Sequence, residues 1–556
     1  MKRTLTILVL LMVVTLATNI SYSQNDRFAK PHDFDNGNRN TIKVPESPDG
    51  AYSVLPYPYI NYNISRDSFP QNEPSVKFNA KYPNKVLAAW RDFSTGVSPA
   101  VRRIGYSYST DGGTTWAASQ LIPLLSPNHP RVSDPVVCSD TSGNFYVATV
   151  SITNSGALDL VVYKSVDGGA TFTDYSFVQG GGANDEDKEW MVCDLTKGSS
   201  PYKNHLYISW TRFGTPAGIL LTKSTNNGVN WSAPVQVSNG GGVQGSDLAI
   251  GPSGEVYAVW VGGTSTTDII YFNKSTNGGG TFAAATNIAQ GNSPTISISS
   301  SGVTFPSIDC DISGGPRNGY LYTVWCDSRN GDPDIFLIRS SNGGNNWSAP
   351  VRVNNDGIGN GKLQCWPWIS VNEQGNIAIL FYDSRNTISN NATEAYLARS
   401  TDGGVTFVNE RLSSTPFTAA WPNTDVRFGD YINVDYSGNR IATVWTDLRT
   451  GGNVNQEIYT AVIDLTTAVI PITSNVPEKY NLYQNYPNPF NPTTKIKFDI
   501  PNITNTSMYV TLKIYDITGR EIAGLLNENL EAGTYEVTFD ADNYTSGVYF
   551  YKLQSN

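Results

Sequence analysis

From Glu73 to Ile463 the chain runs in short stretches where apolar and polar residues alternate, each cut off by a turn of Gly, Asn, Asp or Pro. A period of two marks strands with one buried face, so the pattern predicts β-structure throughout. One stretch shows the unit clearly: Pro306-Ser-Ile-Asp-Cys-Asp311, then Gly319-Tyr-Leu-Tyr-Thr-Val-Trp325-Cys-Asp327-Ser-Arg329, then Asp334-Ile-Phe-Leu-Ile-Arg339. A strand, a turn, a second strand ending in Trp-x-Asp-x-Arg and a third strand follow in order. The second-strand landmark recurs at Trp90, Thr149, Trp210, Trp260, Trp325, Phe381 and Trp445, which makes seven units.

Six units close on one turn signature: Ser109-Thr-Asp-Gly-Gly-Thr-Thr-Trp116, Ser165-Val-Asp-Gly-Gly-Ala-Thr-Phe172, Ser224-Thr-Asn-Asn-Gly-Val-Asn-Trp231, Ser275-Thr-Asn-Gly-Gly-Gly-Thr-Phe282, Ser340-Ser-Asn-Gly-Gly-Asn-Asn-Trp347 and Ser400-Thr-Asp-Gly-Gly-Val-Thr-Phe407. The third residues, Asp111, Asp167, Asn226, Asn277, Asn342 and Asp402, are 51 to 65 residues apart. A short Asp or Asn side chain accepts backbone N–H groups of its own turn, and the glycines supply positive φ. Asn serves as well as Asp in half the copies, which points to scaffolding. So long a period, with four short strands in each unit, predicts an all-β fold with a seven-bladed β-propeller. Six blades is the alternative, if the first or last unit packs outside the ring. The seventh unit, Asp430 to Ile463, lacks the turn and a fourth strand. Thr41-Ile-Lys-Val44 resembles the fourth strands Pro234-Val-Gln-Val237 and Pro350-Val-Arg-Val353, and is expected to close the ring.

The repeated turn resembles the Asp box of bacterial neuraminidases, which would make residues 24–465 a sialidase-like propeller. That resemblance implies glycan recognition or glycoside hydrolysis. In that family a tyrosine paired with a glutamate is the nucleophile, an aspartate is the acid/base, and three arginines hold the substrate carboxylate. The family's Arg-Ile-Pro signature precedes its first box. Here the nearest match, Arg103-Ile104-Gly105, lacks the proline and sits on a third strand, which favours non-catalytic recognition of an extracellular glycan or glycoprotein. A sialidase-type or other glycoside hydrolase is the alternative, with Tyr431 and Glu189 as candidate nucleophile and base and Asp134 as a third candidate.

Ligands of propellers bind where the first strands enter the axis. The entering residues are Glu73-Pro74, Arg131 to Asp134, Asp187-Lys188-Glu189-Trp190, Ser246-Asp247, Phe305-Pro306, Trp366-Pro367-Trp368 and Arg427 to Tyr431. Acids and arginines beside aromatic faces suit a sugar, so Glu73, Arg131, Asp187, Trp190, Asp247, Trp366, Trp368, Arg427 and Asp430 are the ligand-binding candidates. The competing reading is that strand-entry positions are polar to satisfy the backbone. Asp327/Arg329, Asp383/Arg385 and Asp447/Arg449 repeat from unit to unit and read as structural ion pairs.

Past Ile463 the pattern changes. Residues 466–479 read as a linker, and Tyr480 to Leu553 as a small immunoglobulin-like β-sandwich of alternating strands. Tyr486-Pro-Asn-Pro-Phe-Asn-Pro492, Tyr515-Asp-Ile-Thr-Gly519 and Ser546-Gly-Val-Tyr-Phe-Tyr-Lys-Leu553 resemble the C-terminal sorting domain of type IX secretion substrates, over residues 480–556. This resemblance implies the type IX machinery as partner and a secreted or outer-membrane-surface location on a Gram-negative bacterium. Family members usually continue into a further lysine-rich strand, so the domain reads as truncated. At the other end, Met1-Lys-Arg3 followed by the apolar run Leu5–Ala17 and Ser21-Tyr-Ser23 reads as a signal peptide over residues 1–23. No later apolar run is long enough to span a membrane.

Charge and cysteines narrow the chemistry. Net charge is −10 with no basic cluster, so nucleic acid is not an expected partner. The five cysteines lack metal-type spacing, and the three histidines form no zinc or Ser/His/Asp pattern, so no cofactor or metal is called. Two open readings remain: Cys310 and Cys326 flank a hairpin turn and could pair across it, and Asn354-Asn-Asp-Gly357 offers oxygen ligands for a structural calcium.

Overall fold

In the computed structural model, residues 59–555 are described apart from 67–68, 96–101, 180–185, 199, 265, 299–303, 388–391, 419–427, 450–455, 466–469, 474–476, 502–507, 531 and 542–543. The signal-peptide segment and Thr41–Val44 lie outside the described residues.

Seven antiparallel sheets form seven blades, each ordered from first to fourth strand. Blade one is Gln71–Phe78, Val86–Asp92, Arg103–Ser109 and Gln120–Leu121. Blade five is Ser307–Cys310, Leu321–Asp327, Asp334–Ser340 and Val351–Arg352. Blade six carries an extra short strand, Phe417–Thr418, paired with its third strand, Ala392–Ser400. Blade seven, Asn433–Ser437, Arg440–Asp447 and Glu457–Asp464, takes its fourth strand from the beginning of the chain. The closing strand is Tyr62–Asn63, with Tyr62 opposite Thr460 and Asn63 opposite Tyr459. It stands in the place expected for Thr41–Val44, and Ser65 Oγ bonds Glu457 just beyond it. The ring therefore has seven blades, and N- and C-terminal parts of the propeller share one sheet.

The second strands explain the tryptophan landmark. Val86–Asp92, Leu321–Asp327 and Ile377–Asp383 are buried along their whole length, because both faces of a blade pack on neighbouring blades. Trp90, Trp210, Trp260, Trp325 and Trp445 are at most 2% exposed. A buried indole N–H needs an acceptor, and in three of these five the aspartate two residues on supplies it. Trp90 donates to Asp92 at 3.0 Å, Trp325 to Asp327 at 3.2 Å and Trp445 to Asp447 at 2.9 Å. Arg329, Arg385 and Arg449 pair with Asp327, Asp383 and Asp447. Trp-x-Asp-x-Arg is thus a structural clamp.

The turn signature is built as its composition implies. In the first copy Asp111 Oδ1 accepts from Thr115 N at 2.9 Å and from Ser109 Oγ at 2.8 Å, and Ser109 Oγ accepts from Gly113 N at 2.8 Å. Asn226, Asn277 and Asn342 make the same bond to the backbone N–H four residues on, at 2.9, 3.0 and 2.9 Å. All six turns join third to fourth strands, at the end of the ring opposite the first-strand entries.

First strands have a ladder partner on one side only, so their other edge needs acceptors. Side chains of the neighbouring blade provide them. Ser75 Oγ accepts from Val137 N, Asp247 from Ile308 N, Ser307 Oγ from Ile369 N and Asn433 from Val76 N, at 3.0, 2.9, 3.3 and 2.9 Å. Two residues deeper, Asp309 accepts from Val371 N, Ser370 Oγ from Tyr436 N and Asp435 from Phe78 N, at 2.7, 3.0 and 2.8 Å. Axial polar side chains therefore stitch blade to blade.

All five cysteines are free and buried. Cys310 faces Leu321 across the hairpin and Cys326 faces Ile335, so the suggested Cys310–Cys326 bond does not form. The Asn354–Gly357 segment is organised around Asp356. Its carboxylate is paired with Arg352 at 2.8 Å and accepts from Asn354 and Asn360.

After the propeller, Ile470–Thr473, Gly533–Asp540, Thr493–Ile500 and Asn481–Leu482 form one sheet, and Glu521–Leu530, Met508–Tyr515 and Phe550–Ser555 a second. Phe498, Val537 and Phe539 from the first and Val510, Leu512 and Leu526 from the second share one apolar core. Ile470–Thr473, read as linker, is a strand of this sandwich.

Candidate functional site

The first strands of five blades carry a bulge at the same place. Pairing with the second strand shifts between Asn72 and Ser75, Ser133 and Val136, Asp187 and Trp190, Gln244 and Asp247, and Cys365 and Trp368. The first residue inside each bulge is left-handed: Glu73, Asp134, Lys188, Gly245 and Trp366, with φ of 54°, 55°, 51°, 69° and 51°. Only Gly245 adopts that conformation without strain; for the others it costs about 1 kcal/mol each. Register places Phe305 and Tyr431 at the equivalent point of blades five and seven, two residues before the pairs Ser307–Val324 and Asn433–Val444. Seven residues, one per blade, thus form a ring at the axis: Glu73, Asp134, Lys188, Gly245, Phe305, Trp366 and Tyr431.

Glu73, Asp134, Lys188, Phe305 and Tyr431 of that ring line a small chamber together with Arg91, Arg102, Ser133, Asp187, Gln244 and Asp430. Its volume is about 30 Å³, room for one or two water-sized groups. Lys188 is at its centre. Its ammonium stands 4.0 Å from the ring centroid of Tyr431, 4.6 Å from Trp190, 5.3 Å from Phe305 and 5.5 Å from Trp368. Those four aromatic rings come from blades three, five, six and seven and form a cation–π cage. Beside it, the rings of Trp190 and Trp368 pack on each other, tilted by 38° with centroids 4.0 Å apart. Underneath them a channel of about 290 Å³ runs toward the opposite end of the ring, past Lys77, Asp309 and Asp435.

Electrostatics in the chamber follow from burial. Burial lowers the pKa of Lys188, against the pull of Asp134 and Glu189. It raises Glu189 well above the ordinary carboxylate range, and Asp134 pushes it further. Glu73 is raised in the same way, although Arg91 lies 3.0 Å from its carboxylate and opposes the shift. Tyr431 is raised by burial and by Glu73, Asp134 and Glu189 around it. Among the described residues, the Lys188 ammonium, both Glu189 oxygens and the Tyr431 hydroxyl find no hydrogen-bond partner.

The candidates from sequence separate into three groups. Glu73, Asp134, Asp187, Asp430 and Tyr431 converge on the chamber, and Glu189 lies beside it, close enough to perturb Lys188 and Tyr431. Four do not offer a free binding face. Asp247 is a blade-to-blade acceptor, Trp190 and Trp368 pack on each other, and Trp366 packs on Phe428 and Tyr382 at 5.7 and 5.8 Å. Arg131 is half-buried and does not line the chamber, while Arg427 lies outside the described residues. The cations that do line it are Lys188, Arg91 and Arg102. Arg91 was legible as the residue after the Trp90 landmark, at the entry end of a second strand. Arg102 borders Arg103-Ile104-Gly105, where Arg103 itself turns to the Ile122 carbonyl at 2.9 Å.

Comparison with known proteins bears on both parts of the chain. Residues 484–556 match the family described as the secretion system C-terminal sorting domain. This part of the chain is a sorting domain. The protein is therefore secreted or held at the cell surface by type IX secretion. No helix of the described residues is long and apolar enough to cross a membrane. No curated protein matches the chain. Among solved structures the chain is similar to the leech intramolecular trans-sialidase, at 12% identity over 66% of this chain and 70% of that one, TM-score 0.44. It is similar to the intramolecular trans-sialidase of Ruminococcus gnavus, at 12% identity over 63% and 96%, TM-score 0.43. It is also similar to the GH93 alpha-L-arabinofuranosidase of Fusarium graminearum, at 13% identity over 73% and 98%, TM-score 0.42. The likeness is one of fold.

Proposed function

We propose that the propeller, ahead of its sorting domain, recognises an extracellular glycan at the entry end of its axis without turning it over. One observation carries this reading. Among the described residues, the polar ends of Lys188 and Tyr431, which line a chamber of about 30 Å³, and of Glu189 beside it find no hydrogen-bond partner. That space takes a hydroxyl or another small substituent but not a sugar ring. A glycan would rest on the mouth with one polar group reaching the ring, where Lys188 and Tyr431 can donate and the carboxyl groups can accept or donate. Tyr431 itself is 3% exposed beneath the Lys188 ammonium, which suits anchoring better than attack on an anomeric carbon.

The test is binding and turnover of a glycan panel by the secreted protein. Binding weakened about tenfold by Tyr431→Phe or Lys188→Met, with no product formed, is the expected result. Hydrolysis of any member that Tyr431→Phe abolishes would replace this reading with the hydrolase one. The clustering of Glu73, Asp134 and Glu189 around Tyr431 is what favours that alternative.

A further inference from the structure

At the opposite end of the ring, between the turns of blades five and six, a second cleft of about 480 Å³ opens. Arg317, Tyr320, Arg339, Trp347 and Asp402 are among its lining residues. Its size falls within the ordinary range of small-ligand sites. Two guanidinium groups meet there. Arg317 donates to the carbonyls of Gly375 at 3.2 Å and Thr401 at 3.1 Å, and Arg339 to that of Gly403 at 2.9 Å. Both lie near the Tyr322 hydroxyl. Burial raises that phenol to about 12, and both arginines oppose the shift. A Cβ on Gly403, where φ is +74 to +78° along the pair Gly403–Gly404, would stand 2.9 Å from Arg317 Nε and 3.3 Å from Tyr322 Oη.

What distinguishes these two arginines is the lack of a carboxylate. Arg329, Arg352, Arg385 and Arg399 in the same two blades are all ion-paired. Arg317 and Arg339 are held by backbone carbonyls, and neither forms an ion pair with a described residue. The acid in the cleft, Asp402, is committed to its own turn through Thr406 Oγ1 at 2.6 Å, Val405 N at 2.9 Å and Ser400 Oγ at 2.7 Å. Two guanidinium groups without a described carboxylate partner line one cleft, which suits an anion. Trp347 and Tyr320 add aromatic wall. Trp347 differs from the other tryptophans at its turn position. Trp116 donates its indole N–H to Gly113 O and Trp231 to Ser176 Oγ, whereas that of Trp347 has no acceptor among the described residues.

We infer that this cleft is a saccharide site selective for an acidic sugar, whose carboxylate or sulfate is held between Arg317 and Arg339 while its ring lies against Trp347 and Tyr320. It is separate from the axial mouth and does not depend on the reading given to that site. Calorimetric titration of the full chain tests it, with trigalacturonate and 3′-sialyllactose as carboxylate probes, galactose 6-sulfate as the sulfate probe and lactose as the neutral control. The expected result is binding of at least one acidic probe, weakened by added salt, with lactose not bound at this cleft. Arg317→Gln with Arg339→Gln should lower that affinity by about tenfold or more. Preference for the carboxylates or for the sulfate tells which anion the pair is shaped for. If the double variant unfolds at lower denaturant than the parent, Arg317→Lys with Arg339→Lys replaces it. Charge is then retained without the planar fork, and weaker binding is still expected. No acidic probe bound, or equal affinity in parent and variants, would overturn the assignment.

Discussion

The ring at the axial mouth and the layer just beneath it are built from the same seven strands, two residues apart, yet their polar groups behave in opposite ways. In the lower layer Ser75, Asp247, Ser307 and Asn433 each accept a backbone N–H from the next blade. In the upper ring Lys188 and Tyr431 are equally buried but reach no acceptor or donor among the described residues. Burying a polar group without a partner costs free energy. The lower layer escapes that cost and is scaffold; the upper ring bears it, which is the ground for the ligand site proposed there. Left-handed backbone at Glu73, Asp134, Lys188 and Trp366 adds strain at the same level.

Substitutions in the two layers should therefore part company. The largest effect is expected below. Asp435→Ala strips Lys77 of its ion pair at 2.6 Å and Phe78 N of its acceptor, and should cost about 3 kcal/mol in denaturant unfolding. Asp247→Ala leaves Ile308 N and the Ser307 hydroxyl without their acceptor and should cost about 2 kcal/mol. Loss of less than a few tenths of a kcal/mol in either would mean the blade-to-blade bonds are incidental.

A pH series sharpens the same contrast. Burial raises Asp247 to about 7 and Asp309 to about 6, against the hydrogen bonds they accept. Glu73 and Glu189 are raised as well. With folded pKa values above the unfolded ones, the native state holds protons that the unfolded chain has released, so these groups make stability fall as pH rises from about 4 through about 7. Asp247→Asn should flatten part of that slope. A stability that climbs across this interval would contradict it.

Smaller still are the expected effects on folding in the upper ring. Tyr431→Phe removes a hydroxyl without a partner, and Lys188→Met removes a buried cation from its cage. Each should leave unfolding free energy within about 1 kcal/mol of the parent or raise it, while glycan binding falls. A large destabilisation would make the ring structural. Least disruptive of all is a thiol count. The five buried cysteines should resist a thiol reagent in the folded protein and all react after unfolding without reductant.

Much of the architecture was legible because local rules carry it. The Asp or Asn turns, the Trp-x-Asp-x-Arg clamps and the period near sixty residues depend on bonds within a few residues of each other, so they leave a repeated mark in the chain. The closing strand was not as legible. A two-residue edge strand such as Tyr62–Asn63 needs few side-chain features, and Thr41–Val44 fitted the pattern better. Cys310 and Cys326 looked like partners by spacing, yet the register sets them opposite Leu321 and Ile335.

The site divides along the same line. Position along the first strand was enough to nominate Glu73, Asp134, Glu189 and Tyr431. Which of the nominees face a shared space depended on the bulges and on contacts between blades far apart in sequence. That is why Asp247 proved to be a strap, Trp190 and Trp368 a packed pair, and Arg91 and Arg102 members of the mouth. The amino-acid sequence by itself determined seven blades, a secreted destination and the strands that reach the axis, because hydrophobic alternation, turn chemistry and the sorting domain are local. Only the tertiary structure decided which axial groups are satisfied and which are not, since their partners come from the neighbouring blade across a gap that no ladder spans.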